Sequence, residues 1–101
     1  MEITNTMELS LDQHKLIQSI TLEYFKSFGK IQEVKVYHSD AFLNIAIYPE
    51  HILILSSMDM EEFAEKLKEN NFEIKHSPEL IIIEFDVVTK CITLSLEILS
   101  N

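Results

Sequence analysis

The sequence predicts an α+β fold, a two-layer sandwich in which two helices cover one face of a largely antiparallel five-stranded sheet. Two stretches with helical periodicity and several stretches of alternating apolar residues predict this class, in the order α-β-β-β-α-β-β. The chain of 101 residues is long enough for one core, and it contains no linker, low-complexity stretch or internal repeat. We therefore expect residues 1–101 to form a single α+β domain.

The first predicted element is a helix over residues 9–28, whose apolar residues lie mostly three or four positions apart. Gly29 follows the last of them and is the only glycine in the chain. A glycine at this position is typical of a left-handed C-terminal cap, so we expect the helix to end there.

Three stretches with alternating apolar residues follow, at 31–38, 41–48 and 51–56. They are separated by the turn-forming pairs Ser39–Asp40 and Pro49–Glu50. This pattern predicts a meander of three antiparallel strands.

The two turns set an expected register, in which Val36 lies opposite Leu43 and Ile47 lies opposite Ile52. One apolar set, including Ile52 and Ile54, then faces the helices. The other face of the meander is also largely apolar, although the solvated face of a sheet is normally polar. The large apolar residues on this outer face are Tyr37, Phe42, Tyr48, Leu53 and Leu55.

A second, shorter helix is predicted within residues 56–71 by apolar residues at helical spacing. Asp59 with Glu62 has the spacing of a capping box, and Asn70–Asn71 is a suitable left-handed terminator. The polar face of this helix is strongly acidic. Its acidic residues are Asp59, Glu61, Glu62, Glu65 and Glu69.

The last third of the chain predicts a short strand near residues 72–76 and a hairpin formed by 80–88 and 91–99. With a loop around Thr89–Lys90, Phe85 lies opposite Leu94. The alternating apolar residues of both hairpin strands then form one continuous core face. They are Ile81, Ile83, Phe85, Val87, Ile92, Leu94, Leu96 and Ile98.

Glu84 and Asp86 share the outward face of the first hairpin strand and form the clearest carboxylate pair. Such a pair could bind a metal ion, but no histidine or cysteine at ligand spacing accompanies it. We therefore interpret the pair as the solvated side of the sheet, and we expect no metal, no cofactor and no catalytic site within one chain. An oligomer that assembles an active site from His38, His51 or Glu84 of different chains is the alternative.

The charge of the chain predicts the class of partner. Seventeen acidic residues against eight basic ones give a net charge of −9, and every basic residue is lysine. The negative field repels polyanions, and arginine, the side chain best suited to bind phosphate, is absent, so we expect no direct nucleic-acid binding. A protein partner with a basic surface is favoured instead.

A cytoplasmic location is expected on three grounds. The amino-terminal stretch lacks the basic and apolar regions of a signal peptide. The longest apolar runs are far too short to span a bilayer, so no membrane contact is expected. The single cysteine, Cys91, cannot form an internal disulfide, which suits a reducing compartment.

Unless the first helix covers it, the outer sheet face is expected to be an interface with an apolar centre and an acidic rim. Self-association through this face would be isologous, so we also expect a homodimer. The candidate partner-binding residues combine the apolar outer face with the acidic residues. They are Tyr37, Phe42, Tyr48, Leu53, Leu55, Asp59, Glu61, Glu62, Glu65, Glu69, Glu84 and Asp86.

Two functions fit these expectations. The first is a noncatalytic, stoichiometric inhibitor that blocks a basic protein, for example one that binds nucleic acid, as immunity proteins and phage anti-defence proteins do. The second rests on the order helix, three strands, helix, two strands, together with small size and acidity. In these respects the chain resembles the type III secretion chaperones, and the resemblance implies a chaperone that shields a secreted or unstable partner.

Overall fold

The computed structural model describes residues 9–39 and 42–100. Its helices are α1 (Leu11–Phe25) and α2 (Ser57–Glu69), and a single 3-10 turn lies at Pro78–Leu80. Its strands are β1 (Ile31–Ser39), β2 (Phe42–Pro49), β3 (Phe72–Ile74), β4 (Ile82–Phe85), β5 (Ile92–Leu96) and β6 (Ile98–Ser100).

The strands form two antiparallel sheets. One has the order β1-β2-β5-β4, and the other pairs β3 with β6. The predicted α+β class with a largely antiparallel sheet is confirmed, although four strands and two strands replace the expected five-stranded sheet.

α1 begins at a capping box in which the backbone N–H of Gln13 donates to the Ser10 hydroxyl and the N–H of Ser10 donates to Gln13 Oε1. This exchange satisfies two of the free N–H groups at the helix start. Ile17 and Phe25 are buried on the inner face. Buried Thr21 lies between them, and its hydroxyl donates to the Ile17 carbonyl oxygen, so no polar group of that side chain is left unpaired.

Gly29 does not act as a left-handed cap, because it has no positive φ angle. A Cβ atom built on Gly29 would lie only 3.3 Å from Cδ2 of Leu53. The prediction of the cap was therefore wrong. The structure explains this glycine by the close approach of the Leu53 side chain to the backbone.

The third strand of the predicted meander is absent: residues 51–56 have irregular structure, and the second neighbour of β2 is β5. The predicted faces of this segment are also reversed. Leu53, expected on the outer face, is only 9% exposed and belongs to the core, whereas Ile54, expected in the core, is 87% exposed. An alternating pattern fixes which residues share a side, but it does not fix which side is buried.

β5 pairs with β2 because the two strands present matching buried faces. Three apolar pairs lie directly opposite one another across the strands, and all six side chains are buried. The pairs are Leu43 with Leu96, Ile45 with Leu94 and Ile47 with Ile92. The segment after β2 instead leads to α2, with Leu53 inserted beneath the sheet.

Both predicted hairpin registers differ from the structure by two residues. Val36 lies opposite Ile45, and Phe85 lies opposite Ile92. A shift of two keeps every side chain on its predicted face, because side chains alternate with a period of two. The predicted turn at Ser39–Asp40 includes Asp40, which lies outside the described residues, as do residues 1–8, on which the signal-peptide prediction rests.

α2 packs on α1 through an aromatic cluster formed by Tyr24, Phe25, Phe28 and Phe63. The N-cap of α2 is Ser56, whose hydroxyl accepts a hydrogen bond from the N–H of Asp59, so Asp59 is the third helical residue and not the cap. The predicted left-handed terminator is confirmed at Asn71, which has φ 69°.

The two helices contribute to one buried apolar cluster with the inward face of the large sheet. The main contacts of α1 are with β1 and α2, and those of α2 are with β3, the 3-10 turn and α1. The helices therefore cover the sheet from β1 towards β5 and leave β4 at the margin. In the part of the chain that the structure describes, no helix is long and apolar enough to cross a membrane.

Candidate binding surfaces

α2 carries an exposed line of glutamates that we call the acidic row: Glu61, Glu65 and Glu69. Their spacing of four places them one above another on the same face of the helix. Like charges at this spacing destabilise a helix by about 0.2–0.5 kcal/mol per pair. Within residues 9–39 and 42–100, the structure contains no ion pair for any of the three. The acidic row thus opposes helix formation and is available to an external cation.

The two other predicted acids of this helix are engaged within the protein. Asp59 Oδ2 accepts a hydrogen bond of 2.7 Å from the N–H of Ser56, which closes the capping box. Glu62 Oε1 accepts a hydrogen bond of 3.0 Å from the Tyr24 hydroxyl. Burial and this bond to Glu62 raise the pKa of Tyr24, so the phenol stays a donor. The Asp59 carboxylate therefore stabilises the start of α2, and Glu62 links α2 to α1.

The outer sheet face carries a smaller apolar patch than the sequence predicted. Tyr37 is exposed there, and Phe42 and Tyr48 are half-buried. Leu53 and Leu55 do not lie on this face: Leu53 is in the core, and Leu55 packs against it. The two leucines were misplaced because residues 51–56 do not form a strand of the sheet.

Polar interactions also run through the outer face. Lys35 Nζ lies 5.3 Å from the centre of the Tyr48 ring, a cation–π arrangement. Buried Asn44 accepts a hydrogen bond of 2.7 Å from the Ser95 hydroxyl on β5. Electrostatic interaction with the neighbouring Cys91 side chain, and then burial, raise the pKa of Tyr48.

β4 is exposed on both faces, which the sequence did not predict. Ile82 is 51% exposed, Ile83 46% and Phe85 47%. The prediction that Ile83, Phe85 and Val87 belong to the core was wrong, because β4 is an edge strand beyond the reach of the two helices. Ile81, just before the strand, is buried. The sequence signal for an edge strand was Pro78, which lies shortly before β4, because proline near a strand is typical of the edge of a sheet.

The predicted carboxylate pair does not lie on one strand, because β4 ends at Phe85: Glu84 is in the strand and Asp86 follows it. Glu84 is exposed on the strand. Asp86 Oδ1 accepts hydrogen bonds of 2.8 Å from the N–H of Val88 and 3.2 Å from the N–H of Thr89, so it stabilises the turn between β4 and β5. This is the local role typical of aspartate at the start of a turn.

Two histidines are close together where α1 meets β1. The ring centres of His14 and His38 are 5.2 Å apart, and His38 Nε2 accepts a hydrogen bond of 3.4 Å from the N–H of Leu9. Burial and the neighbouring His38 lower the pKa of His14. Among the described residues, no three histidine, cysteine, aspartate or glutamate side chains are grouped so that they could hold a metal ion.

Glu97 connects the segment after β3 to the segment after β5. Its Oε1 lies 2.7 Å from His76 Nε2, and its Oε2 accepts a hydrogen bond of 3.2 Å from Lys75 Nζ. The bond to His76, followed by the bond to Lys75, lowers the pKa of Glu97 below its ordinary value of 4.5. The ionised carboxylate is therefore favoured in the folded protein.

We expect Glu97→Gln to lower stability at neutral pH and to have a diminishing effect in acid. Because the folded-state pKa of Glu97 lies below 4.5, its contribution is complete above that pH and is lost as the pH falls through the folded-state pKa. Urea denaturation of wild type and variant across this range measures the difference. Glu73→Gln, at an exposed glutamate on β3, is the control and should change stability little at any pH. A difference that grows towards acid would contradict the assignment.

The structure therefore presents two exposed features that other molecules could contact, the acidic row on α2 and the apolar edge strand β4. No protein-family model, curated protein or solved structure matches this chain.

Proposed function

We propose that this chain is a noncatalytic, acidic protein-binding domain that inhibits a basic protein by occupying its positively charged surface, as immunity and phage anti-defence proteins do. The acidic row carries this proposal. Three exposed glutamates, without ion pairs among the described residues, are held on one face of a helix at a cost to that helix. A lysine- or arginine-rich surface would remove that cost on binding.

The total charge strengthens this interpretation. A net charge of −9 attracts a basic partner over distances of about a Debye length, roughly 8 Å at physiological salt. Such steering raises the association rate more than it lowers the dissociation rate. The same field repels nucleic acid, so the inhibitor would compete with a polyanion for the partner and would not bind the polyanion itself. We propose that this competition takes place in the cytoplasm.

The absence of catalysis is part of the proposal and is supported by how the reactive groups are used. Asp86 stabilises a turn, Asp59 closes a capping box, and His76 pairs with Glu97. His51 is exposed in the irregular segment after β2. These residues lie in different parts of the fold, and Asp86, Asp59 and His76 each have a structural role.

The test is an affinity pull-down from host lysate at low and high salt, followed by kinetic measurement of binding to the captured partner. We expect the triple variant Glu61→Gln, Glu65→Gln, Glu69→Gln to bind about tenfold or more weakly, mainly through a lower association rate. We also expect wild-type affinity to fall steeply with added salt.

The matched control is Glu33→Gln, Glu73→Gln, Glu79→Gln, which removes the same charge from three exposed glutamates elsewhere on the protein. If only the total charge mattered, the two triple variants would weaken binding equally. Equal weakening, or affinity that does not depend on salt, would reject the acidic row as the binding surface.

The chaperone hypothesis is the second candidate, and the exposed apolar strand β4 is the observation that favours it. A chaperone would bind an unfolded or extended segment of its partner, whereas an inhibitor would bind the folded protein. Binding to the partner before and after denaturation separates the two functions. Preference for the denatured form would support the chaperone.

A further inference from the structure

β4 is the edge strand of the large sheet whose pairing shows no bulge, and its only charged residue is Glu84. It pairs with β5 on one side only, so one row of its backbone N–H and C=O groups has no neighbouring strand in the described part of the chain. Its apolar side chains Ile82, Ile83 and Phe85 are each about half exposed. An exposed apolar edge is a template for pairing with another strand, and proteins usually protect such edges.

The opposite edge, β1, has that protection. A bulge or irregularity interrupts its pairing between Ile31 and Glu33, and Lys35 is exposed along the strand. α1 packs against β1, and the side-chain amide of Gln18 donates to the carbonyl oxygen of Val34. Bulges, charges and a covering helix all prevent edge-to-edge pairing. β1 thus has a bulge and a packed helix as well as a charge, whereas β4 has only its short length and Glu84.

We propose that β4 pairs antiparallel with β4 of a second copy of this chain, which joins two four-stranded sheets into one continuous sheet across a two-fold axis. An isologous contact requires a self-complementary surface. β4 meets this requirement because its exposed side chains are mainly apolar and its free backbone edge offers donors and acceptors alternately. The contact would also cover part of Ile83 and Phe85, which share the helix-facing side of the sheet with Leu94 and Ile92 but are half exposed at its margin.

The charges on the strand and the point where it begins together select one register. Centring the two-fold axis on Glu84 would place that carboxylate opposite itself, and centring it on Phe85 would place Glu84 opposite Asp86. Like charges directly opposite one another destabilise a strand pair. Centring it on Ile82 would place Glu84 opposite Leu80 and Phe85 opposite Glu79, both of which belong to the 3-10 turn and not to a strand. Centring the axis on Ile83 places Glu84 opposite Ile82 and Phe85 opposite Ile81, so no two acids face each other. The geometry therefore favours Ile83 at the axis.

This contact is independent of the proposed inhibitor function and differs from it in salt dependence. Two copies with a net charge of −9 each repel one another at long range, and added salt screens this repulsion. Dimerisation through an apolar edge should therefore strengthen with salt, whereas binding of a basic partner should weaken. Failure of one proposal leaves the other testable.

Sedimentation velocity over roughly 1–200 µM protein tests the proposal, since this range brackets micromolar dissociation constants. We expect wild type to form dimers reversibly, more strongly at high salt. Ile83→Lys places two ammonium groups at the axis and should raise the dissociation constant about a hundredfold or more. Because Ile83 is half exposed in the monomer, this variant should still fold, which circular dichroism checks.

The matched control is Ile54→Lys, the same change at an exposed isoleucine outside the sheet, and it should dimerise like wild type. A protein that is monomeric throughout the range, or a dimer that Ile83→Lys and Ile54→Lys affect equally, would overturn the proposal.

The register has its own test. Facing residues in an antiparallel pair have Cα atoms about 4.5–5.5 Å apart, which is within the range that a disulfide spans. Ile83→Cys should therefore form a covalent dimer under mild oxidation, and Ile54→Cys and the wild type, which retains only buried Cys91, should not. Cross-linking of all three proteins to the same extent would exclude Ile83 from the axis.

Discussion

Replacing Phe63 with alanine should lower the free energy of unfolding by about 3–5 kcal/mol, the usual cost of removing a buried aromatic ring. Phe63 is 0% exposed, and its ring centre lies 5.2 Å from that of Phe25 and 5.8 Å from that of Tyr24. The substitution leaves a cavity where α2 packs on α1. Since a domain is typically stable by only about 5–15 kcal/mol, the loss is a large share of the total. Urea denaturation followed by circular dichroism measures it.

Phe85→Ala is the control for this prediction, because it makes the same chemical change at a ring that is 47% exposed. At protein concentrations low enough to keep the chain monomeric, we expect a cost of about 1 kcal/mol or less. The comparison also tests the position of β4. Equal costs for the two substitutions would mean that Phe85 belongs to the core and that β4 is not an exposed edge.

Leu53→Asp should destabilise the protein by about 3 kcal/mol or more, because it places a carboxylate in an apolar environment. The Leu53 side chain is 9% exposed, lies in the buried apolar cluster and approaches the backbone at Gly29. The expected result is a large decrease in the denaturation midpoint, or failure to fold.

The adjacent residue supplies the matched control. Ile54→Asp, at a side chain that is 87% exposed, should change stability by no more than about 0.5 kcal/mol. The sequence pattern predicted the opposite assignment, with Ile54 in the core and Leu53 on the outer face. A larger cost at Ile54 than at Leu53 would show that residues 51–56 form the third meander strand after all.

The sequence predicted part of the candidate binding surfaces and missed the rest. The acidic row on α2 follows directly from the sequence, because helical spacing alone puts Glu61, Glu65 and Glu69 on one face. The sequence does not predict that Glu62 accepts a hydrogen bond within the protein, because the donor, Tyr24, is distant in the chain. The exposure of β4 was likewise missed, because a strand's apolar pattern does not reveal whether a helix covers it.

The sequence by itself determined the α+β class, the two amphipathic helices, the acidity of α2 and the faces shared within each hairpin. These features depend on periodicity and composition, which act between residues close together in the chain. Only the tertiary structure decided that β5 lies beside β2, that Leu53 is buried and that β4 is an exposed edge strand. Each of these depends on which distant segments compete to cover the same apolar surface, and a local pattern contains no information about that competition.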